Sequence, residues 1–394
     1  MSELGPMSKN IVLLLDGTSN QISENRTNIL RLHQVLTKDA RQLVYYDPGV
    51  GTFGGDGSWF RAGSKTKEVW GLATGMGLDR NVKEAYRFLV ENYRSNTCNE
   101  DGKRDRIIIF GFSRGAYTAR VLAGFIHAIG LMDRQNLNLL DYAYRAYKGV
   151  DEKDDHDAES FKEVRLFGRT LGTDRPPIRL LGLFDTVASL IERGRSGVRL
   201  KSHAFTTRNW SVESVLHAVA IDERRTMFQP QLWERDQEYW GNSFNKAAAK
   251  SQDVKEVWFA GSHGDIGGGY PEQLSALAKV PLGWMIREAE KRGVRFRTQS
   301  VNSIAYGSKD NELVVPNPLA PANNSLTLSW RPIELLPRRR VKNSKRFSLL
   351  GLQIPLGERR YIAPGSYVHR SVVTREDKLG VRSSNLPSNF LTED

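Results

Sequence analysis

Residues 107–126 read Ile-Ile-Ile-Phe-Gly-Phe-Ser-Arg-Gly-Ala-Tyr-Thr-Ala-Arg-Val-Leu-Ala-Gly-Phe-Ile. Four apolar β-formers come first, a glycine-flanked turn follows, and a helical pattern closes the stretch. Within the turn, Gly111-Phe112-Ser113-Arg114-Gly115 fits G-x-S-x-G. The pattern has a mechanical origin. A nucleophile at a sharp strand-to-helix turn needs a strained backbone, and glycines two residues to either side let strand and helix approach without a Cβ clash. Ser113 is therefore the expected nucleophile. The backbone N–H of Arg114, at the positive end of the following helix, is one expected oxyanion donor. A plain Gly/Ser turn is the competing reading, and the strand just before and helix just after weigh against it.

Outward from this stretch, the chain alternates strand and helix. An apolar run at residues 11–15 ends in Asp16-Gly17-Thr18-Ser19-Asn20, a turn-rich loop of the kind that holds ligands at the C-terminal ends of parallel strands. A helix is predicted over 28–37, a strand over 42–46 and a helix from an N-cap at Asp79 to Tyr93. Between them lie glycine-rich loops at 48–57 and 71–77, and the first lacks the G-K-[ST] ending of a phosphate-binding loop. After the elbow helix, residues 131–177 read as a helical insertion split by the acidic run 151–157, a lid or pocket wall in one reading and a solvated hairpin in the other. A strand over 178–184, a helix over 211–220, a last apolar strand over 254–260 and a closing helix over 281–292 complete the pattern. This alternation predicts an α/β-hydrolase-like fold, a mostly parallel sheet with helices on both faces. Residues 1–292 form the expected catalytic core, and 293–394 a loop-rich basic extension packed on it.

Three groups stand at the predicted C-terminal ends of strands in the order Ser113, Asp185, His263, which is the order of an α/β-hydrolase triad. A serine hydroxyl is a poor nucleophile at neutral pH. His263 would take its proton during attack and return it to the leaving group, while Asp185 fixes the imidazole tautomer and stabilises the imidazolium. His127, His217 and His369 compete for the base, with His369 the main rival. Asp222 and Asp265 compete for the acid. Gly17 or Thr18 is expected to supply the second oxyanion N–H, from the loop after the first strand. Asp16-Gly-Thr lacks the upstream aspartate of a phosphatase D-x-D-G-T motif, because Leu14 stands there. His263-x-Asp265 has no H-E-x-x-H or wider ligand cluster around it, so neither a metal nor a cofactor is expected.

The 394 residues can bury a large core, and the apolar and charged fractions are those of a globular protein. A net charge of +12 favours anionic partners: phospholipid surfaces, nucleic acid or acidic substrates. The single cysteine, Cys98, excludes an intramolecular disulfide framework. Neither a signal-peptide pattern nor an apolar run near the roughly 20 residues of a membrane span is present. A cytoplasmic location in the producing cell is the expectation, with any export by a route that uses no signal peptide.

Taken together, the chain resembles the type VI secretion lipase effector family, first subfamily, whose members are α/β-hydrolase phospholipases. The resemblance is carried by Leu15-Asp-Gly-Thr-Ser-Asn20, Tyr45-Tyr-Asp-Pro-Gly-Val-Gly-Thr52, the elbow from Gly111 to Arg120, Phe184-Asp-Thr-Val187, the segment from His217 to Arg225, the glycine-dense stretch from Val257 to Tyr270, and His369-Arg-Ser-Val372. It implies Ser113, Asp185 and His263 as triad and cleavage of a fatty-acyl ester in a phospholipid. An antibacterial effector role follows as an expectation, with a secretion-machine component and an immunity protein as partners. A soluble carboxylesterase or thioesterase is the runner-up, and a non-catalytic hydrolase-fold binding protein the alternative of another class.

One charge cluster stands outside the core. Arg331, Arg338, Arg339, Arg340, Lys342, Lys345 and Arg346 are opposed only by Glu334, and Phe347-Ser-Leu-Leu-Gly-Leu352 follows. Such a run could hold the chain on anionic lipid, the competing reading being a solvated basic loop. Nucleic acid is not an expected partner, since no aromatics interleave with the basic residues.

Overall fold

Residues 11–15 and 107–110 are apolar throughout because both faces of the strands that carry them are covered. Strand β1 (Asn10–Leu15) pairs in parallel with β2 (Gln42–Asp47) on one side and β3 (Arg106–Phe112) on the other. Leu13 and Leu15 of β1 and Ile107 and Ile109 of β3 join one core, beneath helices α2 (Met76–Asn92) and α3 (Arg114–Ile129). Their neighbours Val12, Leu14, Ile108 and Phe110 point the other way, into a second core with α1 (Asn28–Val35) and α7 (Lys279–Lys291). A period of two on two buried faces leaves no polar position, so the strands read as unbroken apolar runs.

The structure, a computed structural model, describes residues 7–17, 25–49, 76–95, 99–150, 161–171, 173–187, 191–194, 197–200, 203–241, 247, 249–307, 313–328, 330–340, 343–349 and 351–394. Thr18, Cys98, Lys342, the loops at 50–57 and 71–75 and the acidic run 151–157 lie outside these residues. The main sheet continues through β4 (Ile178–Phe184), β5 (Val212–Ala220), β6 (Asp253–Phe259), β7 (Tyr367–His369) and β8 (Leu391–Glu393), in the order β8-β7-β6-β5-β4-β3-β1-β2. All its pairings are parallel, as expected of the α/β class. Among the described residues, no helix is long and apolar enough to cross a membrane.

Three expectations need correction. The segment 211–220, expected as a helix, is strand β5, hydrogen-bonded between β4 and β6. Val212, Val215 and Val219 satisfy a helical spacing, but the run Val-Leu-His-Ala-Val-Ala is equally a two-sided buried strand, and pairing on both edges decides the matter. The strand at 254–260 is not the last one, because β7 and β8 extend the same sheet. Their three residues each are too short to carry a periodic signal. They are held by a third core in which Ile362, Val368, Val372 and Leu386 pack on Val219, Ile221 and Trp258. Finally, α2 starts at Met76, so Asp79 lies in its first turn instead of capping it. Asp79 there accepts hydrogen bonds from Lys148 and Tyr144, which tie α2 to α4 (Leu140–Lys148) of the insertion. Helix α4 and α5 (Lys162–Thr170) both pack on the elbow helix α3.

Candidate active site

Ser113 sits between β3 and α3 with φ 58° and ψ −119°, a left-handed conformation that costs a non-glycine residue about 1–3 kcal/mol. The flanking glycines make the turn possible. A Cβ on Gly111 would fall 2.5 Å from the Gly115 carbonyl oxygen, and one on Gly115 would fall 2.1 Å from that of Leu15. The start of α3 is thus pressed against the end of β1. The Ser113 amide donates to the Phe184 carbonyl at 3.0 Å, which anchors the elbow to the neighbouring strand.

Asp185 follows β4, fully buried, with φ 41°. Its carboxylate is saturated. One oxygen accepts from the Ala220 amide (3.0 Å) and from Nη1 of Arg360 (2.6 Å). The other meets Nδ1 of His263 at 2.5 Å and accepts from Nη2 of Arg360 at 3.0 Å. Burial by itself would raise the carboxyl's pKa, but the Arg360 charge and the His263 hydrogen bond more than offset it and hold the group below the ordinary aspartate range.

His263 opens a short helical turn, α6 (His263–Gly267), after β6. Ser262 and Asp265 cap that turn reciprocally, and the buried carboxylate of Glu223 accepts the His263 amide at 3.2 Å. These contacts fix the backbone so that Nε2 of His263 lies 2.8 Å from the Ser113 hydroxyl while Nδ1 faces Asp185. Phe112 and Phe228 flank the ring, with centroids 4.7 and 4.9 Å away. Ser113, His263 and Asp185 form one continuous hydrogen-bonded chain. Because Nδ1–H donates to the carboxylate, Nε2 is left as the acceptor for a serine proton.

The rival groups are engaged elsewhere. His127 bonds the Ser211 hydroxyl (2.7 Å), and burial lowers its pKa to about 3. His217 lies on β5, not on a helix, with Nδ1 on Glu256 and Nε2 accepting the Thr186 amide. His369 caps helix α8 (Arg370–Leu379) and stacks on Phe259. Asp222 accepts the Gly261 amide, and Asp265 serves the α6 cap and Asn323.

Arg114 is the first residue of α3, where backbone amides have no intrahelical acceptor. The Gly17 amide, by contrast, donates to the Asp16 carboxylate at 2.7 Å, and the Thr27 and Tyr46 hydroxyls hold that carboxylate in turn. In this geometry Gly17 is not presented to an oxyanion. Two further groups escaped sequence reading. Arg360 sits in a stretch without periodicity or motif, and Glu223, though inside the segment from His217 to Arg225, carries no local sign of its role; what distinguishes both is a partner far along the chain. No group of three or more His, Cys, Asp or Glu able to hold a metal occurs among the described residues. Surface hollows lined by Arg106, Arg179, Glu213 and Asp253 lie at the N-terminal ends of the strands, opposite Ser113, Asp185 and His263.

The chain is similar in part to known proteins. An uncharacterized protein of Saccharomyces cerevisiae is 34% identical over 238 residues, covering 56% of this chain and 32% of the yeast protein. The chain thus spans about a third of that relative's length. Among solved structures, an uncharacterized protein from Pseudomonas aeruginosa aligns over 74% of this chain and 47% of its own, at 20% identity and a TM-score of 0.41. The Tle1 effector bound to the VgrG spike of the type 6 secretion system aligns over 70% and 53%, at 19% identity and a TM-score of 0.32. The family model described as T6SS, phospholipase effector Tle1-like, catalytic domain, matches residues 9–288, which is most of the chain; this protein belongs to that family.

Proposed function

We propose that the chain is a serine esterase that cleaves a fatty-acyl ester of a phospholipid, a phospholipase A-type lipase with an acyl-enzyme on Ser113. The observation that carries this reading is the unbroken relay from Ser113 through His263 to Asp185, at 2.8 and 2.5 Å. The Ser113 oxygen attacks the ester carbonyl as Nε2 of His263 takes its proton. The Arg114 amide, at the positive end of α3, receives the oxyanion. The tetrahedral intermediate expels the lysophospholipid alkoxide, which leaves with the proton from His263. Water, deprotonated by the same imidazole, then releases the fatty acid and restores the serine. We read residues 1–292 as the catalytic core, 131–177 as a wall of its acyl site and 293–394 as an extension packed on it.

A lipid surface as partner is supported by the region beside the relay. Trp330 packs edge-on against Phe228, which itself contacts His263. Beyond Trp330 a small sheet presents Leu349 opposite Leu352, with Phe347, Ile354 and Leu356 also exposed and Lys345 and Arg346 among them. Apolar side chains with cations at their margin suit an anionic bilayer. A secretion-machine component is proposed as a partner on the family's description, and an immunity protein on the sequence resemblance alone. The test incubates the wild type and Ser113→Ala with phospholipid vesicles and with nitrophenyl esters. Lysophospholipid and fatty acid from the wild type only is the expected result. Turnover confined to the soluble esters would move the protein to the carboxylesterase or thioesterase reading, and fluorophosphonate labelling that survives Ser113→Ala would remove the serine mechanism.

A further inference from the structure

Arg360 is among the largest fully buried side chains of the protein, 175 residues along the chain from the carboxylate it grips. A guanidinium is expensive to bury, and here its two terminal nitrogens bond acceptors at and around Asp185. Its two terminal nitrogens take both oxygens of Asp185, and they also donate to the carbonyls of Ala220 (2.9 Å) and Phe228. The backbone that carries it is pinned from several sides. The Asn385 amide donates to the Arg360 carbonyl (3.0 Å), Arg359 pairs with Asp222 (3.2 Å), and the Gly357 carbonyl accepts from Arg224 (3.0 Å). A fork held this firmly fixes the plane of the carboxylate, and with it the direction in which Asp185 receives the His263 N–H.

We propose that Arg360 is a positioning residue of the hydrolytic relay: its bidentate grip orients Asp185 toward His263, and its charge keeps the Asp185–His263 pair from taking up a second proton. This rests on the esterase reading above. Among the described residues, the charged and titratable groups around the pair are Arg360, Glu223 with its partner Arg225, and His217 on β5. Of these, only Arg360 bonds the carboxylate directly. Removing a positive charge that touches the pair makes it easier to protonate, whether the added proton settles on the imidazole or on the carboxyl. The acid limb of activity must then move to higher pH. A strap that merely held the fold together would lower the amount of active protein without moving that limb.

The experiment compares wild type, Arg360→Gln and Arg360→Lys. The readouts are kcat and KM against pH on a soluble ester, and titration of the His263 imidazole by NMR. For Arg360→Gln we expect kcat lower by roughly 100-fold with KM little changed, and the acid limb and the NMR titration both higher by about one pH unit or more. For Arg360→Lys, which keeps the charge and loses the fork, we expect the limb near the wild-type position and kcat down by about 10-fold. An Arg360→Gln protein that folds and titrates where the wild type does would overturn the proposal. If Arg360→Gln does not fold, an Arg360→Lys enzyme with full kcat would overturn it equally. Should the wild type show no turnover and no fluorophosphonate labelling, the esterase reading fails, while the NMR titration still decides whether Arg360 governs the pair.

Discussion

The imidazole of His263 lies 2.8 Å from the hydroxyl of Ser113 although 150 residues separate them. The contact exists because β3, β4, β5 and β6 are consecutive in the sheet. Each strand delivers the residues beyond its C-terminal end to the same edge. The turn after β3 carries the serine, the turn after β4 the aspartate and the loop after β6 the histidine. Phe228 and Glu223, from the segment after β5, fill the interval and steady the imidazole and its backbone.

The strain at Ser113 separates function from stability. Ser113→Ala should lower ester turnover by at least about 10³-fold and abolish fluorophosphonate labelling. Ser113→Gly should be equally inactive but more stable than Ser113→Ala by about 1 kcal/mol, because glycine accepts φ 58° without a Cβ penalty. Chemical denaturation of both variants checks this, and equal midpoints would contradict it.

Gly115 should tolerate no side chain. A Cβ there meets the backbone carbonyls of Leu15 and Asp16, which cannot swing away as a side-chain tip could. We expect Gly115→Ala to cost about 3 kcal/mol or more. Gly269→Ala, which has a positive φ but open space at the Cβ position, should cost only its backbone strain of about 1 kcal/mol. Urea titrations of the two variants give the comparison.

Stability should fall in mild acid, partly through His369. Burial, assisted by Arg287, lowers its folded pKa to about 4, against about 6.5 when unfolded. Below about pH 6.5 the unfolded chain therefore gains a proton that the folded chain refuses until about pH 4, so stability drops across that window. His369→Asn keeps an acceptor for the Ser371 amide at the start of α8. It should retain labelling at Ser113 and show a smaller loss of Tm between pH 7 and pH 5. An unchanged loss would remove His369 as a contributor, and lost labelling would reinstate it as the base.

The exposed platform predicts salt-sensitive binding to vesicles. Ser113→Ala protein, which leaves the lipid intact, should bind anionic vesicles and be released as ionic strength rises. Lys345→Glu with Arg346→Glu, and separately Phe347→Ser with Leu349→Ser, should each weaken binding by about 10-fold while leaving turnover of soluble esters unchanged. Co-sedimentation measures it, and binding indifferent to both pairs would place the lipid contact elsewhere.

Local chemistry was enough to read much of this protein from its residues. The elbow is legible because Gly111, Ser113 and Gly115 lie within one turn between an apolar strand and a helix, and each spacing answers a steric demand met within five residues. Asp185 and His263 are legible because each follows an apolar run in a turn-rich stretch, where a parallel sheet exposes its reactive groups. The features that needed the folded chain have their cause at long range. Whether residues 211–220 are helix or strand is settled by β4 and β6 pairing on either side, since the residues themselves suit both. The strands β7 and β8 exist only because an edge of the sheet was open to them. The Gly17 amide turned to the carboxylate beside it, a choice made by Thr27 and Tyr46 holding Asp16 in place. Arg360 looks like any surface arginine until the chain closes, and it becomes the counter-charge of Asp185 because only packing can bring a guanidinium and a buried carboxylate together from 175 residues apart.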